Sequence, residues 1–188
     1  MARVTQDDAR ENKQIELFGL TPLQGRSNKY IPDATVVVGG IKHEIELKTS
    51  NVNGKSKVVS TGRNVTLSKL EEYKKVHWVF SRYRKTESGF EFTGEHYYCS
   101  GKKIEPWASK QRELLLWGTE TYAGLGHWEE IAQVCKGRVD ESVMKRMGNV
   151  LHKQAGLNNP KISWKYVQEH GIKLDNNRLK DHLMELLS

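Results

Sequence analysis

The sequence predicts an α/β domain built on a mixed, twisted β-sheet that is flanked by helices. The apolar segment ATVVV at 34–38 and the alternating segment IKHEIELK at 41–48 are joined by a Gly-Gly pair, which is typical of a β-hairpin. The segments VHWVFSRYR at 76–84 and FEFTGEHYY at 90–98 predict two neighbouring strands. Helix signals stand near both ends of the chain. A length of 188 residues suits one such domain.

The first predicted helix begins at a Thr5 cap and continues to about residue 18. Gly19 is its stop signal, and Pro22 follows shortly beyond it. After the hairpin and a polar loop, Ser68 starts a capping box with Glu71, ahead of a second predicted helix with the sequence KLEEYKK.

The C-terminal half is predicted to be mainly helical. Residues 106–155 contain two amphipathic segments. These segments fit either a helix-turn-helix that reads DNA, or two helices that pack on the core or on another subunit. A terminal amphipathic helix is predicted over about 175–188, from the spacing of Leu179, Leu183, Leu186 and Leu187.

The charge balance favours a polyanionic partner. Lys and Arg number 30 against 23 Asp and Glu, which gives a net charge of +7 and a pI near 9.3. Nucleic acid is the first candidate and an acidic membrane surface the second, while many basic proteins have neither partner. The N-terminal segment is polar and no apolar run has the length of a signal peptide or a membrane span, which predicts a soluble intracellular protein.

The cysteines and histidines do not predict a metal or disulfide framework. Cys99 and Cys135 are far apart and outside any CxxC spacing, so both are expected to be reduced thiols in the core. The seven histidines occur singly along the chain, which predicts surface or packed residues in place of ligands.

The segment HEIELK at 43–48 places charged residues together. On a strand, successive side chains point to opposite faces, so Glu44, Glu46 and Lys48 share one side of this strand. Glu46 and Lys48 are separated by about 7 Å along the strand axis. Asp33, at the start of the adjoining hairpin strand, brings a second carboxylate alongside Glu46.

This trio has a chemical interpretation. Two carboxylates supply the hard oxygen ligands that Mg²⁺ prefers, and the remaining positions suit water and phosphate oxygens. The metal acidifies a bound water, and Lys48 orients that water or stabilises developing negative charge. The predicted outcome is hydrolysis of a phosphodiester. The alternative is the ordinary solvated face of a hairpin strand.

Pro32-Asp33 with Glu46-x-Lys48 resembles the signature of the PD-(D/E)xK nuclease superfamily. Further segments resemble the PvuII-like branch of type II restriction endonucleases, in the same order along less than half of the chain. They are GLTPLQGR at 19–26, PDATV at 32–36, HEIELKTSN at 43–51, VST at 59–61, EYKKVHWVFSRYR at 72–84 and LNNPKISWKYVQEHGIK at 157–173.

The resemblance implies a restriction-endonuclease-like mixed sheet in a single nuclease domain over 1–188, with a helical insertion at about 113–155. It implies a Mg²⁺-dependent enzyme that cuts palindromic double-stranded DNA as a homodimer, in a prokaryotic or phage-infected cytoplasm, beside a separate methyltransferase. Asp33 and Glu46 match the metal-binding carboxylates, Leu47 offers its carbonyl to the metal, and Lys48 matches the catalytic lysine. Tyr73 falls in a matching helix, although a packed core tyrosine is the preferred interpretation.

The same resemblance points to residues that contact DNA. Asn158 and Asn159 match an asparagine pair that reaches base edges, which suits adenine in the major groove, while their alternative role is to form the turn before Pro160. Lys161 is expected to contact phosphate.

The chain departs from the branch after Ser60. Gly62, Arg63 and Asn64 stand where the branch has consecutive histidines that read bases. Arginine prefers guanine and asparagine prefers adenine, so Ser60, Arg63 and Asn64 predict a different target sequence, unless this segment is a solvated loop. The insertion at 113–155 is expected to supply a subunit interface or to contact DNA.

Two other classes of function remain open from the residues. One is a homing, junction-resolving or repair nuclease that uses the same trio without reading a palindrome. The other is a non-catalytic DNA-binding module that retains the fold.

Overall fold

The computed structural model describes residues 6–23, 32–53, 57–62, 65–122, 156–157 and 159–188. The chain divides into two compact units. The first contains Met1–Val59, Lys75–Lys103 and Ile162–Ser188, and the second contains Ser60–Lys74 and Ile104–Lys161. In the described part of the chain, no helix combines the length and the apolarity that crossing a membrane requires.

The described residues form five helices and ten strands. In chain order these are α1 (Gln6–Phe18), β1 (Thr21–Pro22), β2 (Ala34–Val38), β3 (Ile41–Asn51), β4 (Val58–Ser60), β5 (Val65–Thr66), α2 (Leu67–Tyr73), β6 (His77–Thr86), β7 (Gly89–Cys99), α3 (Gly101–Tyr122), β8 (Gly156–Leu157), β9 (Lys161–Ser163), α4 (Trp164–His170), β10 (Ile172–Lys173) and α5 (Leu179–Leu187).

The first unit is built on a six-stranded sheet with the order β1-β2-β3-β6-β7-β10. β3 and β6 run parallel, and every other neighbouring pair in this sheet is antiparallel. The prediction of an α/β fold with a mixed sheet is therefore confirmed. β4 pairs with β9, and β5 pairs with β8, as two-stranded sheets.

The predicted hairpin of β2 and β3 is confirmed. Gly39 and Gly40 form its two-residue turn with φ values of 57° and 81°. Both values lie in the left-handed region, which glycine enters at no steric cost and which the favoured hairpin turns require. Val38 pairs with Ile41 directly beside the turn, so the turn fixes the register of the whole hairpin.

The predicted end of α1 is also confirmed. Gly19 has φ of 63°, donates its N–H to the Glu16 carbonyl at 3.2 Å, and is followed by Leu20, whose N–H reaches the Ile15 carbonyl at 2.9 Å. This pair of bonds is the Schellman arrangement, in which a left-handed residue satisfies the last carbonyls of a helix. Thr5, the predicted cap at the other end, lies outside the described residues.

Helices α1 and α5 cover one face of the sheet. Their apolar side chains and those of the strands form a single buried cluster, because each element is apolar on one side only. The cluster consists of Phe18, Leu20, Ala34, Ile45, Leu47, Val79, Tyr98, Leu174, Leu183 and Leu187. We call the side of the sheet that carries this cluster the helix-covered face.

The predicted terminal helix is confirmed, but it begins at Leu179, since Asp175 holds a turn by accepting the Asn177 N–H at 3.0 Å.

Two predicted helix starts are wrong. α2 begins at Leu67, and its cap is Thr66, whose extended backbone (φ −80°, ψ 171°) lets the hydroxyl accept the Lys69 N–H. Ser68 lies inside the first turn, where it cannot take this role. α3 begins at Gly101, five residues before the predicted start at 106, and the structure describes the predicted insertion only as far as Tyr122.

The second unit contains α2 and the β5–β8 pair. Val65 pairs with Leu157, and both side chains are fully buried. Tyr73 is fully buried, packs its ring 6.3 Å from that of Trp107, and donates its hydroxyl to the Thr61 carbonyl at 2.7 Å. The interpretation of Tyr73 as a packed core tyrosine is confirmed.

The prediction for Cys99 is confirmed as well, since it is a buried free thiol. Burial raises its pKa to about 12, which makes it a poor nucleophile at neutral pH. Cys135 lies outside the described residues.

Candidate functional site

The site lies where β3 extends beyond its hairpin partner. The ladder between β2 and β3 ends at the pair Ala34–Ile45. On its other side β3 continues to pair with β6, from Ile45 opposite His77 to Asn51 opposite Tyr83. The main chain of β3 from Glu46 onward therefore forms an edge next to the start of β2.

The Asp33 side chain provides a hydrogen-bond acceptor for the main chain of this edge. Its Oδ2 accepts the Leu47 N–H at 2.7 Å, in the place that a strand partner would otherwise take. A carboxylate that accepts a main-chain N–H is held firmly, because such charge-assisted bonds are short and strong. The sequence predicted Asp33 beside Glu46, but this bond to Leu47 was not foreseen.

The trio predicted from the sequence comes together at this edge. Lys48 Nζ lies 2.6 Å from Glu46 Oε1, 3.2 Å from Asp33 Oδ2 and 2.9 Å from the Leu47 main-chain oxygen. Glu44, which shares this side of β3, is exposed. The alternation of β3 and the turn of the hairpin are together sufficient to produce this convergence.

The trio is only partly accessible. The Glu46 side chain is 4% exposed, that of Lys48 14% and that of Asp33 20%. A carboxylate as buried as Glu46 needs a compensating positive charge, which the Lys48 ammonium supplies. Asp33 and Lys48 keep the contact with solvent that a substrate would need.

The Trp78 ring lies next to the Lys48 side chain. It is opposite Glu46 in the β3–β6 register, its ring centroid is 6.0 Å from Lys48 Nζ, and it stacks on Phe80 at 5.6 Å. Glu46, Lys48 and Trp78 lie on the side of the sheet opposite the helix-covered face. Sequence reasoning did not assign Trp78 to the site, because only the parallel pairing of β3 with β6 brings it there.

The donor set fits a magnesium ion. Two carboxylates and one main-chain carbonyl converge on the same point, and Mg²⁺ typically binds one or two carboxylates while it keeps several waters. Among the residues that the structure describes, no group of three or more His, Cys, Asp or Glu side chains converges as a metal site.

A histidine pair lies on the opposite, helix-covered face. His43 Nδ1 and His77 Nε2 are 3.3 Å apart, and His77 Nδ1 lies 2.8 Å from the Tyr98 hydroxyl. Burial and the neighbouring His43 lower the pKa of His77. Both rings are half-buried, and their contact depends on the β3–β6 register, which has no signal in the sequence.

The predicted DNA-contacting residues that the structure describes belong to the second unit. Ser60 is exposed, and its hydroxyl oxygen accepts a hydrogen bond from Lys161 Nζ. Thr61 donates both its N–H and its hydroxyl to the Pro160 carbonyl, at 3.3 and 2.8 Å. These bonds hold Ser60 and Lys161 next to each other although they are distant in sequence.

Asn159 has a left-handed backbone with φ of 54°, which asparagine tolerates better than most residues. This conformation agrees with the turn before Pro160. Its Oδ1 is buried and has no hydrogen-bond partner among the described residues. Arg63, Asn64 and Asn158 lie outside the described residues, so their predicted contacts with DNA stay predictions.

Comparison of the chain with protein-family models and with curated proteins finds no match. The class of site is therefore defined by its own geometry. It is a cluster of two carboxylates and one main-chain carbonyl around a lysine ammonium, at the end of the β2–β3 hairpin.

Proposed function

We propose that this chain is a Mg²⁺-dependent type II restriction endonuclease of the PD-(D/E)xK superfamily, similar to the PvuII-like branch. It hydrolyses phosphodiester bonds in specific, palindromic double-stranded DNA. The observation that carries the proposal is the convergence of Asp33, Glu46 and Lys48 at the end of the β2–β3 hairpin, with Lys48 Nζ within 3.2 Å of both carboxylates.

Each residue of the trio has a defined task in this proposal. Asp33, Glu46 and the Leu47 carbonyl would hold Mg²⁺, and the bound ion would neutralise phosphate charge and acidify a water. Asp33 also fixes the Leu47 main chain through its 2.7 Å bond, which aims the carbonyl at the same point. The Lys48 ammonium orients the attacking water or stabilises the negative charge that develops on the phosphate.

Binding of duplex DNA is supported by charge. The net charge of +7 attracts a polyanion, and phosphate contacts supply most of the affinity for DNA. Ser60 and Lys161 form a polar pair that suits a phosphate. Asn159 is the proposed contact with an adenine edge, for which its amide, whose Oδ1 is buried and has no partner among the described residues, would have to turn outward. Arg63, Asn64 and Asn158 are the other residues that we propose to contact DNA.

The proposal extends to the assembly and its setting. A palindromic target has two equivalent strands, so a homodimer with one site for each strand is the matching assembly. The enzyme would act in the cytoplasm of a prokaryote and would be encoded by the host or by a phage. A separate DNA methyltransferase would protect the host genome.

The decisive test compares the wild type with Asp33→Asn and Lys48→Ala. Asn keeps an oxygen that can accept the Leu47 N–H, so Asp33→Asn removes the charge while the main chain stays in place. We expect cleavage of genomic DNA with Mg²⁺ to fall about a hundredfold or more in each variant, since each removes a charge that acts on the reacting phosphate. Binding of DNA in a chelator should remain measurable.

Glu44→Gln is the matched control, because Glu44 is an exposed carboxylate on the same side of β3. It should cleave like the wild type. Full activity of Asp33→Asn or Lys48→Ala would contradict the proposal.

The ends of the cleaved fragments discriminate among the alternatives. A single shared palindrome at the ends supports a restriction endonuclease. Ends at branched or damaged sites support a junction-resolving or repair nuclease, and ends at one long, asymmetric site support a homing nuclease. DNA that stays intact but binds with a strong dependence on salt supports a non-catalytic module.

A further inference from the structure

Lys48 contacts the same three oxygens that the proposed function assigns to the cation. Its Nζ lies 2.6 Å from Glu46 Oε1, 3.2 Å from Asp33 Oδ2 and 2.9 Å from the Leu47 carbonyl. An ammonium carries three N–H donors, and three acceptors stand around it here. These contacts place a compact positive charge at the point where the oxygens converge.

A divalent cation and this ammonium cannot share the position. Mg²⁺ binds its oxygens at 2.0–2.1 Å with near-octahedral geometry. An ammonium that kept its contact with all three ligands would lie within a few ångströms of the ion, where the two positive charges repel each other strongly. Binding of the cation therefore requires Lys48 Nζ to leave at least one of the three oxygens.

The burial of Glu46 explains why the lysine takes this place. The Glu46 side chain is 4% exposed, and Asp33 brings a second negative charge to the same edge. Two carboxylates this close repel each other unless a positive charge lies between them. Lys48 supplies that charge from two positions further along the strand, on the same side, and its Nζ lies 6.0 Å from the centroid of the Trp78 ring.

We propose that Lys48 and the divalent cation compete for one site, so that binding of the cation moves the ammonium from the carboxylates to the reacting phosphate. This inference rests on the proposed function, since it assumes that Asp33 and Glu46 hold the cation. Lys48 then has two successive positions. It neutralises the ligands before the cation arrives, and it becomes available to the substrate only afterwards.

The first test measures binding of Mg²⁺ and Mn²⁺ by calorimetry without DNA, for the wild type and for Lys48→Met. Met keeps the length and the apolar part of the side chain but has no charge. We expect Lys48→Met to bind the cation about tenfold more tightly or better, because the ion no longer displaces charge-assisted bonds. Lys42→Met is the matched control; Lys42 is an exposed lysine on the same side of β3, and this variant should bind like the wild type.

The second test uses the wild type, so it does not depend on whether Lys48→Met folds. The ¹³Cε resonance of Lys48, assigned by its loss in Lys48→Arg, is followed by NMR as Mg²⁺ is added. We expect it to shift with the same midpoint as the calorimetric binding curve. The resonances of Lys42 should stay in place.

The outcomes separate the two proposals. If neither the wild type nor Lys48→Met binds a divalent cation, the proposed function fails and this inference fails with it. If the wild type binds Mg²⁺ but its Lys48 resonance does not move, or Lys48→Met binds no more tightly than the wild type, competition is refuted and the proposed metal site stands.

Discussion

His96 shows what one buried polar residue contributes to this molecule. It is 2% exposed, its Nδ1 lies 2.8 Å from the Ser81 hydroxyl, and that hydroxyl accepts a bond from Gln14 Nε2 at 2.9 Å. Phe18 and Phe92 each approach the imidazole edge-on, with ring centroids 5.5 Å away. Burial lowers the pKa of His96 to about 4, so the ring is neutral at physiological pH.

This pKa predicts a loss of stability in mild acid. The unfolded chain takes up a proton near pH 6.5, whereas folded His96 takes one up only near pH 4, so the free energy of unfolding falls as the pH falls between these values. The full loss, reached below pH 4, is on the order of 3 kcal/mol. Urea unfolding at pH 7, 5.5 and 4.5 measures it.

His96→Gln is the variant that isolates this effect, because the amide can bond Ser81 and does not titrate. Its stability should depend less on pH than that of the wild type over the same window. The pKa of His77 is also lowered, so His77 likewise reduces the free energy of unfolding as the pH falls. Part of the pH dependence of stability should therefore remain in His96→Gln. An unchanged slope in His96→Gln would show that His96 does not carry the effect.

At the scale of elements, short polar contacts decide where helices begin. Thr66 ends β5 and caps α2 by accepting the Lys69 N–H at 3.3 Å, and Ser68 contacts the Thr66 hydroxyl at 3.0 Å. Both residues carry the hydroxyl that a cap needs, but only Ser68 has a Glu three positions further on, and this capping box led the sequence prediction to Ser68. The pairing of Val65 with Leu157 keeps Thr66 extended, which gives it the geometry of a cap.

Replacement of the two hydroxyl residues distinguishes their roles. Thr66→Ala should lower the free energy of unfolding by about 1 kcal/mol, which is the usual cost of a lost cap. Ser68→Ala should cost only a few tenths of a kcal/mol, because an exposed hydroxyl inside the first turn contributes little to stability. Both are measured from urea midpoints, and an equal or larger loss in Ser68→Ala would contradict the assignment.

At the scale of the whole molecule, the positive charge and the predicted contacts define how the proposed DNA complex should respond to salt. Lys161 would neutralise a phosphate, whereas Asn159 would read a base. These two roles have different signatures, since phosphate contacts release counterions and base contacts do not.

Lys161→Ala should reduce the salt slope of DNA binding by about 1 and weaken all sequences alike. Asn159→Gly, which preserves the left-handed backbone, should leave the slope unchanged and reduce discrimination at one adenine position by about 1–3 kcal/mol. Fluorescence anisotropy at several salt concentrations, with a target and a scrambled duplex, measures both. A larger slope change in Asn159→Gly than in Lys161→Ala would contradict the assigned roles.

Much of the first unit follows from the sequence alone. The Gly-Gly turn and the alternation of β3 are local signals, and they fix both the hairpin and the shared face of Glu46 and Lys48. Gly19 likewise marks the end of α1, and leucine spacing marks α5. The restriction-endonuclease-like fold, the single nuclease domain, the metal and the DNA contacts stay predictions.

Only the tertiary structure decided what surrounds the trio. The parallel pairing of β3 with β6 brings Trp78 beneath Lys48 and His77 next to His43, and the end of the β2 ladder leaves Leu47 N–H for Asp33 to bind. The physical reason is the range of the forces involved. Turn and alternation preferences act within a few residues, whereas the register between strands far apart in sequence is set by the packing of the whole core.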